Sequence, residues 1–308
     1  MTLFPEGSES SPAVAAAEEA SDCEVIGLIG LGLMGSAMAE RFLARGFEVL
    51  GFDIDAARLG ALLNRGGRTG ASVCQVAVSC RRIILSLPNS DAVQTVLGQL
   101  EPHLRSDHVI IDTTTGRPEA VLEAARRLAG RGVPYVEAMI SGNSSQIRQG
   151  EVLIIAGGDA EAMAQCDDLF ACLSTRVLHC GDSGSASKMK LVSNLVLGLN
   201  RAVLAEGLAF AGKLGLDLEQ TLAVLRESMG YSRVMDTKGD KMIAGDFEPQ
   251  ARLSQHLKDV RLILSAADGS RARVPLSRAH AQLLEQAELQ GLGALDNSAI
   301  IRVFDDVE

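Results

Sequence analysis

The sequence predicts an α/β chain: a doubly wound parallel sheet first, an all-α domain last, and one long helix joining them. Three observations carry this prediction. Between residues 24 and 157, short apolar runs alternate with helix-like segments, the rhythm of strand–helix–strand units. Residues 187–213 contain no proline and place apolar side chains on nearly every face, the pattern of a buried helix. Beyond residue 213 the periodicity is helical throughout. A length of 308 residues suits two domains with separate cores.

The elements follow in order. Residues 1–22 are rich in Ser, Ala, Glu and Pro, lack apolar periodicity, and read as a disordered tail. Residues 24–30 form an apolar run ending in glycine, a buried parallel strand. A helix over 35–45 is stopped by Gly46, and 47–52 is a second strand ending at Asp53. Strands over 83–87 and 109–111 end at Pro88 and Asp112. The helix over 118–128 has proline in its first turn. Strands over 135–138 and 152–156 flank a polar loop over 141–150. The helix over 187–213 is long enough, at about 1.5 Å per residue, to cross between domains. Further helices are predicted over 218–229, 234–244, 256–267, 276–289 and 297–304. The expected domains are thus 23–186 and 187–308.

Composition excludes several classes. The net charge is −10, with 8 Phe, 2 Tyr and no Trp, so phosphate-binding patches and base-stacking platforms are not expected, and no nucleic-acid partner is. No basic residue precedes Arg41, which argues against secretory and mitochondrial leaders. The longest uncharged apolar stretch, 25–39, is shorter than the ~20 residues of a membrane span. A soluble, cytoplasmic protein is expected. The six cysteines have no metal-ligand spacing and read as reduced small hydrophobes.

Gly30-Leu31-Gly32-Leu33-Met34-Gly35 is a GxGxxG that follows a strand and opens a helix, with Asp53 lying 23 residues after Gly30. That context makes it a dinucleotide loop of the Rossmann type. Gly30 permits the tight turn, Gly32 lets a pyrophosphate approach the backbone, and Gly35 lets helix and strand pack closely. The helix N-terminus then offers free N–H groups to the anion. Asp53 accepts ribose hydroxyls and repels a 2′-phosphate, favouring NAD. Arg58 nearby leaves NADP open.

With these motifs in place, the chain resembles the β-hydroxyacid dehydrogenase family, which includes 3-hydroxyisobutyrate dehydrogenase and tartronate semialdehyde reductase. The segment from Gly30 to Ala39 is similar to that family's first motif. Leu87-Pro88 is similar to its cofactor-contacting Leu-Pro. The run from Asp112 to Pro118 resembles its Asp-x-Ser-Thr-x-x-Pro, which implies that Thr115 lies near the nicotinamide. Ser141-Gly142-Asn143 resembles its Ser-Gly-Gly substrate loop. Residues 181–194 resemble its catalytic segment, a glycine turn followed by Lys190 and then Asn194. Lys258-Asp259 resembles a Lys-Asp pair that faces the cofactor. The sequence departs from the family pattern at Glu137-Ala138-Met139-Ile140, at Asn143 and at Ala186. The first two departures are expected where substrate lies.

Lys190 and Asn194 are four residues apart and share a helix face. A lysine there can protonate a forming alkoxide, and burial would lower its pKa towards working pH. From spacing alone Lys188 is a rival, about 200° round the helix; the resemblance selects Lys190. It implies an NAD(P)-dependent dehydrogenase or reductase for a small β-hydroxyacid or its semialdehyde, working as a homodimer or homotetramer. Two other readings stand beside it. One is a non-catalytic dinucleotide-binding sensor. The other is imine reduction, whose families generally carry Asp or Tyr in place of the lysine.

Overall fold

A computed structural model describes residues 25–304; the expected tail over 1–22 lies outside them. The first domain runs β1 (Val25–Ile29), α1 (Leu33–Ala44), β2 (Glu48–Phe52), α2 (Ala56–Leu63), β3 (Arg68–Thr69), α3 (Val73–Ser79), β4 (Arg82–Leu85) and α4 (Ser90–Leu100). It continues with β5 (Val109–Asp112), α5 (Pro118–Ala129), β6 (Tyr135–Ser141), α6 (Ser144–Gln149), β7 (Leu153–Gly157), α7 (Ala160–Ala164), α8 (Asp167–Leu173) and β8 (Val177–His179). The sheet order is β3-β2-β1-β4-β5-β6-β7-β8. The chain winds outwards from β1 in both directions, so the strand order reverses between β1 and β4. Ligands of doubly wound sheets bind at the carboxyl ends of the strands beside such a reversal.

Alternation along each strand feeds two cores. Ile26 and Leu28 of β1 join one face with Met38 and Phe42 of α1. Ile29 joins the other with Val76, Leu97 and Leu128. All pairings are parallel except β6 with β7. A parallel return needs a crossover of a dozen or more residues, and the short link through α6 forces the reversal.

The second domain begins with α9 (Ser185–Lys213), 29 residues long. It continues through α10 (Leu218–Glu227), α11 (Asp240–Ala244), α12 (Leu253–Ser270) and α13 (Pro275–Leu289), and ends in a 3₁₀ segment, Asn297–Phe304. Its core gathers Leu204, Leu208, Leu257, Val260 and Leu284 among others. The single helix expected over 234–244 is instead a π turn, Met235–Gly239, followed by α11. Gly239 there lies so close to Leu222 that a Cβ would meet its Cδ1 at 2.6 Å.

The membrane expectation needs amending. By length and composition α9 is long and apolar enough to span a bilayer. Its scattered charged residues hide this from a search for uncharged runs. The buried stripe of α9 carries Lys190, Asn194 and Arg201, polar side chains packed against protein.

Candidate active site

The glycine turn sits at the end of β1, beside the strand-order reversal. Gly30 has φ +97°, and a Cβ on it would strike the Ser86 carbonyl at the end of β4. A Cβ on Gly35 would strike the Gly30 carbonyl. Gly32 is different: a Cβ there would meet nothing within 4 Å. The first and third glycines are thus required by the protein's own packing, whereas the second opens onto free space. Gly32 is also the N-cap of α1 and has no side chain to satisfy the helix's first N–H groups. This is a cradle for an anion, and it fits the pyrophosphate of a dinucleotide. Leu31 is buried, and Leu33 and Met34 open the helix.

Asp53, at the end of β2, accepts the Leu31 amide at 2.7 Å on Oδ2 and the Asp55 amide at 2.9 Å on Oδ1. Arg58 Nη1 stands 3.2 Å from Oδ2. The carboxylate therefore shapes the glycine turn. Leu87 donates its amide to Thr114 Oγ1 at 3.0 Å, tying the Leu87-Pro88 turn to the threonine run. Beneath it, buried Asp112 accepts Thr114 N at 2.8 Å and Tyr135 Oη at 2.5 Å.

The second wall comes from β6 and α9. Glu137 is fully buried and accepts Gly184 N at 2.5 Å and Ser187 N at 2.9 Å. A carboxylate at a helix N-terminus satisfies orphan amides and opposes the dipole's positive end. This fixes α9 against the sheet. Three residues further along β6, the Ile140 carbonyl accepts Lys190 Nζ at 2.8 Å. Lys190 is buried and Lys188 is exposed. Burial brings the Lys190 pKa down to about 8, opposed by Asp259 and assisted by Lys258. Asn194, also buried, donates Nδ2 to Asp259 Oδ2 at 2.9 Å.

The two domains meet through Lys258 of α12. Its Nζ donates to Thr115 O at 2.7 Å and Pro88 O at 3.1 Å, and pairs with Asp259 at 3.0 Å. Thus Pro88, Thr115, Asn194 and Lys258, widely separated in sequence, are joined through Lys258 and Asp259 where the two domains meet, with Lys190 one helical turn from Asn194. Ser141 and Gly142 lie at the end of β6. Asn143 holds local structure together. Its Oδ1 caps α6 by accepting Gln146 N at 3.0 Å, and Gln146 Oε1 accepts Asn143 N in return.

The substrate-side departures are placed differently from expectation. Met139 is fully buried and packs with Ile155 and Ala186. Glu137 caps α9. Strand alternation explains both, since residues 137 and 139 share the face that α9 covers. Sequence reasoning assigned Asp259 no role of its own and passed over Arg201 entirely. The spacing 190, 194, 198, 201 along one helix face was the signal available for Arg201.

An anion cradle on a doubly wound sheet, facing a buried amine from a helical domain, defines a two-domain nicotinamide-dependent oxidoreductase. Comparison with known proteins agrees. Residues 25–181 match the NAD-binding domain of 6-phosphogluconate dehydrogenase, and 184–304 match the NAD-binding domain of NADP-dependent 3-hydroxyisobutyrate dehydrogenase. The chain is 32% identical to 2-(hydroxymethyl)glutarate dehydrogenase of Eubacterium barkeri, over 92% of this chain and 95% of that protein. It is 29% identical to L-threonate dehydrogenase of Cupriavidus necator, over 92% and 97%. A solved 3-hydroxyisobutyrate dehydrogenase from Salmonella typhimurium shares the fold, with TM-score 0.83 at 24% identity over 91% of this chain and 99% of that one. The chain belongs to the β-hydroxyacid dehydrogenase family. It is an NAD(P)-dependent oxidoreductase that moves hydride between a nicotinamide cofactor and a small hydroxyacid or its semialdehyde.

Proposed function

We propose that Lys190 is the proton-carrying group of this reaction and that Asn194 positions the reacting oxygen. The observation that carries this reading is the buried Lys190 amine, held by the Ile140 carbonyl at 2.8 Å with its pKa lowered to about 8. In the oxidation direction the neutral amine takes the hydroxyl proton as the C–H hydride leaves. In the reduction direction the ammonium donates to the carbonyl oxygen and neutralises the alkoxide. When bound, the nicotinamide supplies the hydride chemistry. Asp259 pins the Asn194 amide nitrogen, leaving the amide oxygen for the substrate hydroxyl. The Ser141 hydroxyl and the backbone at Gly142 and Asn143 receive the substrate carboxylate.

On the cofactor side, the turn from Gly30 to Gly35 holds the pyrophosphate, and Leu87, Pro88 and Thr115 border the nicotinamide ribose. Lys258 closes the helical domain over them. We favour NAD over NADP because the Asp53 carboxylate repels a 2′-phosphate; the adjacent Arg58 moderates this preference. The outward stripe of α9 carries Met189, Val192, Val196, Val203 and Phe210, each between 48% and 67% exposed. A contiguous apolar stripe of this kind supports a homo-oligomer. A soluble, cytoplasmic enzyme is the corresponding cellular reading.

The test is turnover of a hydroxyacid and semialdehyde panel with NAD(H) and NADP(H), by wild type and Lys190→Met. Turnover by wild type and its loss in the variant, with cofactor affinity retained, is the expected result. Full activity in the variant removes Lys190 from the mechanism.

A further inference from the structure

From β6 to the turn after β4, a buried chain of hydrogen bonds runs out of the core towards the interdomain contact. Tyr135 donates Oη to Asp112 Oδ2 at 2.5 Å, and Asp112 Oδ1 accepts Thr114 N at 2.8 Å. Thr114 Oγ1 in turn accepts the Leu87 amide at 3.0 Å. Asp112, Thr114 and Tyr135 are all buried. The residues that follow Thr114 and Leu87, namely Thr115 and Pro88, present the two carbonyls that Lys258 Nζ engages. One carboxylate thus holds both halves of the seat that receives Lys258. It holds Thr115 through the Thr114 amide, and Pro88 through the Thr114 hydroxyl.

Asp112 does this only while ionised. Both of its oxygens face donors, so a proton on either one breaks or reverses a bond. Its surroundings bring that proton within reach of mild acid. The strand register sets Leu85 of β4 on one side of it and Glu137 of β6 on the other. A small cavity beside it is lined from α4 and α5 by Ser90, Val93, Gln94, Ala120 and Val121, none of them charged. Burial pushes the Asp112 carboxyl up to about 6; the bonds from Tyr135 and Thr114 oppose the rise, and the Glu137 charge adds to it. The Tyr135 hydroxyl is held protonated by burial and by the Asp112 and Glu137 charges, with Arg127 of α5 opposing.

We propose that Asp112, oriented by Tyr135, is a positioning residue for hydride transfer: its carboxylate sets the two carbonyls that seat Lys258, and its protonation unseats the helical domain and slows turnover in acid. The inference rests on the reading of Lys258 as the residue that closes the helical domain over the nicotinamide. The glycine turn and Asp53 share no bond with this chain, so cofactor affinity does not follow the same proton.

The test uses the reduction direction, where Lys190 is already an ammonium below about pH 8 and adds no further fall. With saturating NADH and the fastest semialdehyde of the panel, wild-type kcat should hold near pH 7 and drop about tenfold by about pH 5, while the NADH Kd stays within about twofold. The emission lifetime of bound NADH, read without turnover, should change over the same interval. Asp112→Asn should lower kcat about tenfold at about pH 7 and abolish the acid limb. Tyr135→Phe removes a bond that favours the carboxylate, so the limb should move to higher pH. A merely structural loss would instead scale kcat equally at every pH. The proposal is overturned if wild-type kcat holds to about pH 5, if the limb survives in Asp112→Asn, or if Tyr135→Phe leaves its midpoint in place. Where no semialdehyde is reduced, a lifetime that stays flat to about pH 5 overturns it equally. Lys258→Met separates the two readings. If it turns over like wild type at about pH 7, Lys258 does not close the site, and the proposal falls with that reading. If it is slow while Asp112→Asn is not, the proposal alone is overturned.

Discussion

At the strand ends, Asp53 accepts the Leu31 and Asp55 amides and pairs with Arg58, Thr114 answers the Leu87 amide, and Asp112 answers Thr114 and Tyr135. In the helical domain, α9, α12 and α13 bury Arg201, His256 and His280 with polar atoms unanswered. The strand-end groups answer one another, and Gly32 beside them faces open space. The helical side buries polar atoms that it leaves unpaired. The difference follows from locality: the sheet side pairs its polar groups through neighbouring turns, and the helical side brings its polar groups together from three distant helices.

The largest test of this contrast is Lys190→Ala. It should lower kcat by about 10³-fold or more while leaving NAD affinity within about twofold, measured by steady-state kinetics and by quenching of bound NADH fluorescence. A parallel loss of cofactor affinity would show that the two walls do not act separately. Gly32→Ala probes the opposite wall. Its Cβ has open space in the protein, so the melting temperature should hold. The cofactor's Kd should rise about 10- to 100-fold, because the added methyl occupies the path of the pyrophosphate. Equal NAD binding would place the dinucleotide elsewhere.

The pH profile sharpens the same division. Oxidation needs the neutral Lys190 amine, so kcat should fall about tenfold per unit below about pH 8. Reduction needs the ammonium and should fall above that point. NAD binding should be flat across that range. The smallest expected effect is Asp53→Asn. Removing the charge should narrow the NAD over NADP preference by about tenfold in kcat/KM, with Arg58 then free to meet a 2′-phosphate.

The glycine turn was legible in sequence because it is local. Gly30, Gly32, Gly35 and Asp53 lie within one strand–helix–strand unit, and each glycine has a separate steric reason. The Lys190–Asn194 face was legible by helical spacing together with a family resemblance. What stayed hidden depends on contacts across long separations: Ile140 under Lys190, Asp259 beside Asn194, and Lys258 on Pro88 and Thr115. Met139 illustrates the converse. Its place in a motif suggested the substrate, but strand alternation turned it into the core. The short helices α2, α3 and α6–α8 escaped because five to eight residues give too little periodicity to read.

One buried carboxylate has a consequence for how this chain can change. Glu137 reaches α9 only because Gly157 has no side chain: a Cβ there would stand 2.8 Å from Glu137 Oε2 and 3.1 Å from the Ala186 Cβ. The acid, the glycine and the alanine therefore form a single lock-step unit, distributed over two strands and a helix. An alanine at position 157 alone displaces the acid and unseats α9, and Lys190 with it. Shortening the acid at the same time, as Glu137→Asp with Gly157→Ala, returns the missing room. Substitutions at these positions will be inherited together, and the register of α9 is what they jointly conserve.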